Sequence, residues 1–116
     1  MPLSTERGYS TTIATDAGIK NLLLFKDDEF VATPMNSGLR IGGTVELAGL
    51  EVPPNYKRIA LLARQLGTYL PSIETEDRID WMGHRPSLPD TLPVIGQSPS
   101  HANVIYALGH SHVGVT

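Results

Sequence analysis

Pro34 to Leu47, PMNSGLRIGGTVEL, is the run on which the fold turns. Asn36-Ser37-Gly38 carries hairpin chemistry, because Asn tolerates a left-handed backbone and Gly reaches positive φ without steric cost. Beyond it, Leu39, Ile41, Val45 and Leu47 point one way and Arg40, Gly42, Thr44 and Glu46 the other. That period of two is the pattern of a strand with one buried face. Gly43 falls in the first set and Gly42 in the second, so each face has a gap where a neighbour, a helix or a ligand can lie close. Phe30 to Thr33, before the turn, supplies the preceding strand.

Outward from this hairpin the chain reads as more sheet and one helix. Leu3 to Gly8 is polar and predicts a connecting loop, whereas Tyr9 to Ala14, YSTTIA, is rich in strand formers. Asp16-Ala17-Gly18 breaks that strand, Asn21 to Phe25 predicts another, and Lys26-Asp27-Asp28 a turn. Downstream, Val52-Pro53-Pro54 ends the sheet, and Asn55 is placed to cap a helix from Tyr56 to Tyr69 that Pro71 stops. Ile59, Leu62, Leu66 and Tyr69 share one face of it, a stripe that covers one side of the sheet. Glu74 to Asp80, ETEDRID, reads as a solvated connection. The expectation is an α+β fold: an antiparallel β-meander over residues 3–50, one main helix over 55–70 covering it, and strands and loops over 79–116. The whole is taken as a single domain.

Chemistry concentrates in two later runs, WMGHRPSLPDTLPVIG (81–96) and VIYALGHSHVGVT (104–116). Trp81 is assigned to the core. Pro86, Pro89 and Pro93 fix φ and remove donors, so a rigid extended loop separates two short strands. Arg85 is held beside His84 in front of the first of these prolines. A planar fork presented so rigidly suits a carboxylate, and it equally suits a structural salt bridge. Val94-Ile95-Gly96 predicts a buried strand, and Asn103 to Leu108 another of the kind buried on both faces. The latter runs into Gly109-His110-Ser111-His112-Val113-Gly114, a glycine-bounded turn able to cradle an anionic or carbonyl group. His110 and His112 are spaced to share a strand face, but two imidazoles alone make an incomplete metal site. Tyr9, a phenol on a strand, either lines a cavity or packs.

Taken in order, GHRPSLPDTLPVIG, a polar spacer and NVIYALGHSHVGVT resemble the C-terminal part of FAD-dependent amino-acid oxidoreductases of the D-amino-acid oxidase superfamily. Its D-amino-acid dehydrogenase small-subunit branch is the most similar. PLSTERGYS and GLRIGGTVELAG extend the resemblance over nearly the whole chain. The resemblance implies the substrate domain of an FAD-dependent flavoprotein oxidising the C–N bond of a small amino acid, most readily a D-amino acid. Glycine, sarcosine or hydroxyproline are the related alternatives. It implies that Arg85 binds the substrate carboxylate, with Tyr9 and His84 as further substrate-side residues. It also implies that Gly109, His110, Ser111 and Gly114 lie beside the flavin. The Gly-rich fingerprint that holds the FAD pyrophosphate is absent from these residues. They therefore read as a fragment without the Rossmann domain, inactive alone. Electrons would pass to a quinone, a carrier or oxygen.

Composition narrows the remaining classes. With a net charge of -3 the chain lacks the basic excess of a nucleic-acid partner. Without cysteine, disulfide and thiolate chemistry are excluded. No apolar run reaches the length of a transmembrane helix, so a cytoplasmic protein, at most peripheral to the inner membrane, is expected, and an oligomer is compatible. From another class, the same residues would suit a free-standing sheet used for binding or oligomerisation.

Overall fold

The computed structural model describes residues 2–114. Its elements are β1 (Ser4–Ile13), β2 (Leu23–Phe25), β3 (Phe30–Met35), β4 (Gly38–Glu46), α1 (Lys57–Tyr69), β5 (Arg78–Ser87), β6 (Val94–Gln97), β7 (Ile105–Leu108) and a 3-10 turn at Ser111–Val113. The first five strands form one sheet in the order β2-β3-β4-β1-β5, and β6 and β7 form a ribbon. The meander holds for β2, β3 and β4, while β1 lies between β4 and β5. Met35 pairs with Gly38, so Asn36-Ser37 is the two-residue hairpin loop. Gly38 has φ +124, the reason a glycine is needed there.

The described residues gather into two compact units. One comprises Gly8–Val45 and Pro53–Gly83. Ile13, Phe30, Ala32, Leu39 and Ile41 from its strands meet Leu62 and Leu66 of α1 in a fully buried cluster. Phe25 stacks on Phe30 with ring centroids 4.3 Å apart. The helix buries Ile59, Leu62, Ala63 and Leu66. Tyr69, expected on the same stripe, stays half-exposed at the rim and donates its hydroxyl hydrogen to Asp28 at 2.6 Å. Asn55 does not cap with its side chain. Its backbone N–H instead donates to the Tyr9 hydroxyl at 2.9 Å, and Tyr56 begins the helix with no side-chain cap.

Two segments expected to be loops are strand. β1 begins at Ser4, where Thr5 and Arg7 are buried and Glu6 and Gly8 are less so. A period of two written in polar residues is invisible to hydropathy, which is why Leu3 to Gly8 read as a loop. β5 begins at Arg78, inside the acidic run. Asp80 is fixed there because the Thr11 hydroxyl donates to its Oδ1 at 2.7 Å and Arg78 Nε donates at 3.1 Å. Trp81 is not core. It is 54% exposed, lies under the Arg40 guanidinium at 5.6 Å and spreads its ring over Gly83, an aromatic–cation stack on an open sheet face.

The other unit comprises the described residues up to Arg7, those of Glu46–Val52, and those from His84 onward. Arg7 is fully buried here. Its Nε donates to Gly49 O at 2.9 Å, its Nη2 donates to Val52 O, and its Nη1 lies 3.4 Å from Glu46 Oε2. One side chain thus ties down the loop that follows β4. The β6–β7 ribbon pairs Val94 with Leu108 and Gln97 with Ile105. Both strands were expected to be buried, yet Ile95 is 71% and Ile105 75% exposed. Burial alternates along both strands, so the face carrying Val94, Gly96, Tyr106 and Leu108 is half-covered and the face carrying Ile95 and Ile105 is open. No helix among the described residues is long and apolar enough to cross a membrane.

Candidate functional site

The site is built within the second unit from three pieces: the start of β1, the end of β5, and the turn after β7. Strand alternation sends Glu6 to one face of β1 and Thr5 and Arg7 to the other. On β5, Arg85 and His84 are likewise sent to opposite faces. Arg85 and Glu6 meet: Arg85 Nη1 lies 3.6 Å from Glu6 Oε2. The same oxygen lies 2.7 Å from His112 Nε2. One carboxylate oxygen is therefore shared by a guanidinium and an imidazole from two other segments. Neither contact has hydrogen-bond geometry, and Glu6 Oε2 and Arg85 Nη1 are both buried without a hydrogen-bond partner. The Arg85 side chain as a whole is 31% exposed and that of Glu6 18%. Arg85 is thus only partly shielded and is held by a loose, monodentate ion pair.

The turn is fastened to β5 at Ser87, which forms an isolated antiparallel bridge with His110. The Ser87 hydroxyl donates to Ser111 Oγ at 3.1 Å, and both serines are buried. The backbone alternates in hand through the turn. Gly109 has φ +73, His110 is right-handed with φ -68 and ψ -7, and Ser111 returns to φ +46. Such alternation turns successive N–H groups into one concavity, a form that receives electron-rich atoms. A side chain at Gly109 would sit 3.1 Å from Leu88 Cδ1, so that position is tight as well as left-handed. Val115 and Thr116, which end the run NVIYALGHSHVGVT, lie outside the described residues.

His84 faces elsewhere. Its Nδ1 and the Thr5 hydroxyl are hydrogen-bonded at 3.0 Å. The pair forms the polar end of an open cleft of about 490 Å³ lined also by Leu3, Leu50 and Pro86. Tyr9 belongs to the first unit, where it is buried, its hydroxyl accepting the Asn55 N–H and its ring standing edge-on to Tyr56. Of the expected site residues, then, Arg85, His110 and Ser111 are brought to one place through Ser87 and Glu6, together with Gly109 and Gly114. Glu6 was missed. Its partners are 79 and 106 positions away in the chain, and no local pattern announces such a pairing. Among the described residues no group of three or more potential ligands is placed to hold a metal, and His110 and His112 lie on a turn rather than on a strand.

Residues 1–116 match the family model described as DAO, FAD dependent oxidoreductase. The chain belongs to this family. A DAO-family relative, the D-amino-acid oxidase of Bradyrhizobium diazoefficiens, is 42% identical over 99% of this chain and 28% of its own length. The D-amino acid dehydrogenase of Paramagnetospirillum magneticum is 34% identical over 100% of this chain and 28% of its own. That of Helicobacter pylori is 30% identical over 95% and 27%. The crystal structure of glycine oxidase from Geobacillus kaustophilus superposes with a TM-score of 0.79 at 22% identity, covering 97% of this chain and 31% of that one, a likeness of fold. The chain spans rather more than a quarter of the length of these curated relatives.

Proposed function

We propose that these residues are the substrate-binding part of an FAD-dependent oxidoreductase that oxidises the C–N bond of a small amino acid, most readily a D-amino acid. The observation that carries this is the state of Arg85. It is set on a strand in front of a proline, partly exposed, with one nitrogen buried and lacking a hydrogen bond and only a monodentate ion pair to Glu6. A guanidinium on a fixed stretch of backbone and satisfied this incompletely is ready for a carboxylate. Among relatives, the one at 42% identity is named for D-amino acids.

In this reading Arg85 binds the substrate carboxylate and sets the orientation of the Cα–H. The concave turn of Gly109, His110 and Ser111, closing at Gly114, fits the electron-rich edge of a flavin ring, to which it would present backbone N–H groups. FAD, when bound, accepts the electrons that leave the substrate, and most of its binding surface is contributed by residues beyond these. His84 borders the cleft on the other face of β5, and Tyr9 supports the sheet through Asn55. The electron acceptor is a quinone, a carrier or oxygen, and in this reading the protein is cytoplasmic or peripheral to the inner membrane.

The test is Arg85→Lys in the full-length, flavin-loaded protein. The charge is kept and the fork is lost, so the KM for D-amino acids should rise by about tenfold or more, with flavin content unchanged. An unaltered KM would remove Arg85 from the site.

A further inference from the structure

We propose that Glu6 is the residue that recognises the substrate's ammonium group, so that Arg85 and Glu6 together read the amino acid as a zwitterion. This rests on the preceding assignment of Arg85 to the carboxylate. An α-amino acid carries a carboxylate and an ammonium on one carbon, so a protein that takes up both must present a cation and an anion close together. Arg85 Nη1 and Glu6 Oε2, 3.6 Å apart on neighbouring strands, do so. They are close enough to hold each other's side chains in place, yet they form no hydrogen bond and leave donor and acceptor capacity unused. An ion pair meant only to hold the fold would reach its strength as a bidentate fork. Arg7 shows that alternative in the same unit: fully buried, with hydrogen bonds to Gly49 O and Val52 O as well as its carboxylate partner.

His112 completes the arrangement as a positioning residue. With Nε2 at 2.7 Å from Glu6 Oε2, it holds the carboxylate from the turn side, so Glu6 does not collapse fully onto Arg85. Among the described residues, the charged or titratable groups in contact with Glu6 are Arg85 of β5 and His112 of the turn. A consequence follows for selectivity. Arg85 and Glu6 sum to no net charge, so a zwitterion matches the pair, whereas a simple carboxylate leaves Glu6 without its cation and a dicarboxylate adds repulsion.

Binding of two probes to the flavin-loaded, full-length protein separates the roles. 2-Aminoisobutyrate is a zwitterion with no Cα hydrogen and is not consumed. 2-Methylpropanoate is the same skeleton without the ammonium. In calorimetric titrations, Glu6→Gln should weaken 2-aminoisobutyrate by about tenfold or more, the scale of one charge-assisted hydrogen bond, and leave 2-methylpropanoate unchanged or tighter. Arg85→Lys should weaken both. Glu6→Asp, which keeps the charge on a shorter stem, should retain part of the preference for the zwitterion and covers the case in which Glu6→Gln fails to fold. His112→Gln should weaken the zwitterion less than Glu6→Gln and leave 2-methylpropanoate unaffected. Equal weakening of both probes by Glu6→Gln would reduce Glu6 to a support for Arg85 and overturn the proposal, as would no effect on either. Loss of the Arg85→Lys effect would instead overturn the assignment of Arg85 itself.

Discussion

Gly42 and Gly43 are adjacent, chemically identical and opposite in consequence, which makes them the sharpest test of the packing. Neither has a positive φ, so alanine is tolerated by the backbone at both and only space decides. A Cβ at Gly42 would meet Ser10 Cβ and Tyr9 O at 3.4 Å, an ordinary contact. A Cβ at Gly43 would meet Glu29 O at 2.5 Å, Phe30 Cα at 2.6 Å and Phe30 Cβ at 2.8 Å. These are mostly backbone atoms of the neighbouring segment, so β3 would have to shift away from β4. Overpacking of this kind costs about 1–3 kcal/mol. The stiffer unfolded chain returns roughly 0.4–1 kcal/mol. Gly43→Ala should therefore lose about 1–2 kcal/mol, and Gly42→Ala should be neutral or gain up to about 1 kcal/mol. In urea, with a slope of roughly 2 kcal/mol per molar, the far-UV circular dichroism midpoint should fall by roughly 0.5–1 M for Gly43→Ala. It should hold or rise for Gly42→Ala. Equal midpoints for the two variants, or the reverse order, would refute the packing of β3 against β4 described above.

Other outcomes follow from the same contacts. Leu66→Ala, at a position with no exposure in the central cluster, should lower stability by about 3 kcal/mol, read by the same urea transition. Arg7→Met should destabilise by about 3 kcal/mol, since it removes a fully buried cation together with its hydrogen bonds to Gly49 O and Val52 O and its ion pair with Glu46, and should speed protease cleavage within Gly49–Val52; an unchanged cleavage rate would show that Arg7 does not hold that loop. The hydrogen bond to Asp28, followed by lesser burial and charge effects, raises the Tyr69 pKa above the usual phenol value. Because the folded state holds this proton more tightly, the stabilisation is fully present below the unfolded pKa and is lost as pH rises through the folded one. An alkaline absorbance titration should show one late-ionising tyrosine that is missing in Tyr69→Phe.

Much of the fold was legible because it is written in local rules. Asn36-Ser37-Gly38 specified a hairpin that Met35 and Gly38 close. The spacing of Ile59, Leu62 and Leu66 specified a buried helix face, and Pro71 its end. Where local rules and tertiary partners disagreed, the partners won. Thr5 and Arg7 are strand residues because the sheet accepts them and Arg7 has carbonyl acceptors across the loop. Trp81 is surface because Arg40 offers a cationic face. Asn55 does not serve as a side-chain cap because the helix begins one residue later, with Tyr56 at the cap position, while the backbone N–H of Asn55 donates to Tyr9, 46 positions away.

The site divides in the same way. Arg85 and the glycine-bounded turn were visible in the sequence, since a proline after an arginine and glycines around His110 are local signals with local causes. The partner of Arg85 was not. Glu6 sits in a polar run that any solvent-facing loop would also show, and its nearness to Arg85 and His112 exists only once β1 and β5 lie side by side and the turn is pinned at Ser87. Sequence alone determined the hairpin, the helix and the position of the cation, because each depends on the conformational preferences of a few consecutive residues. Which anion faces that cation was decided by the tertiary structure, because Coulomb attraction acts over ångströms in space and takes no account of separation along the chain.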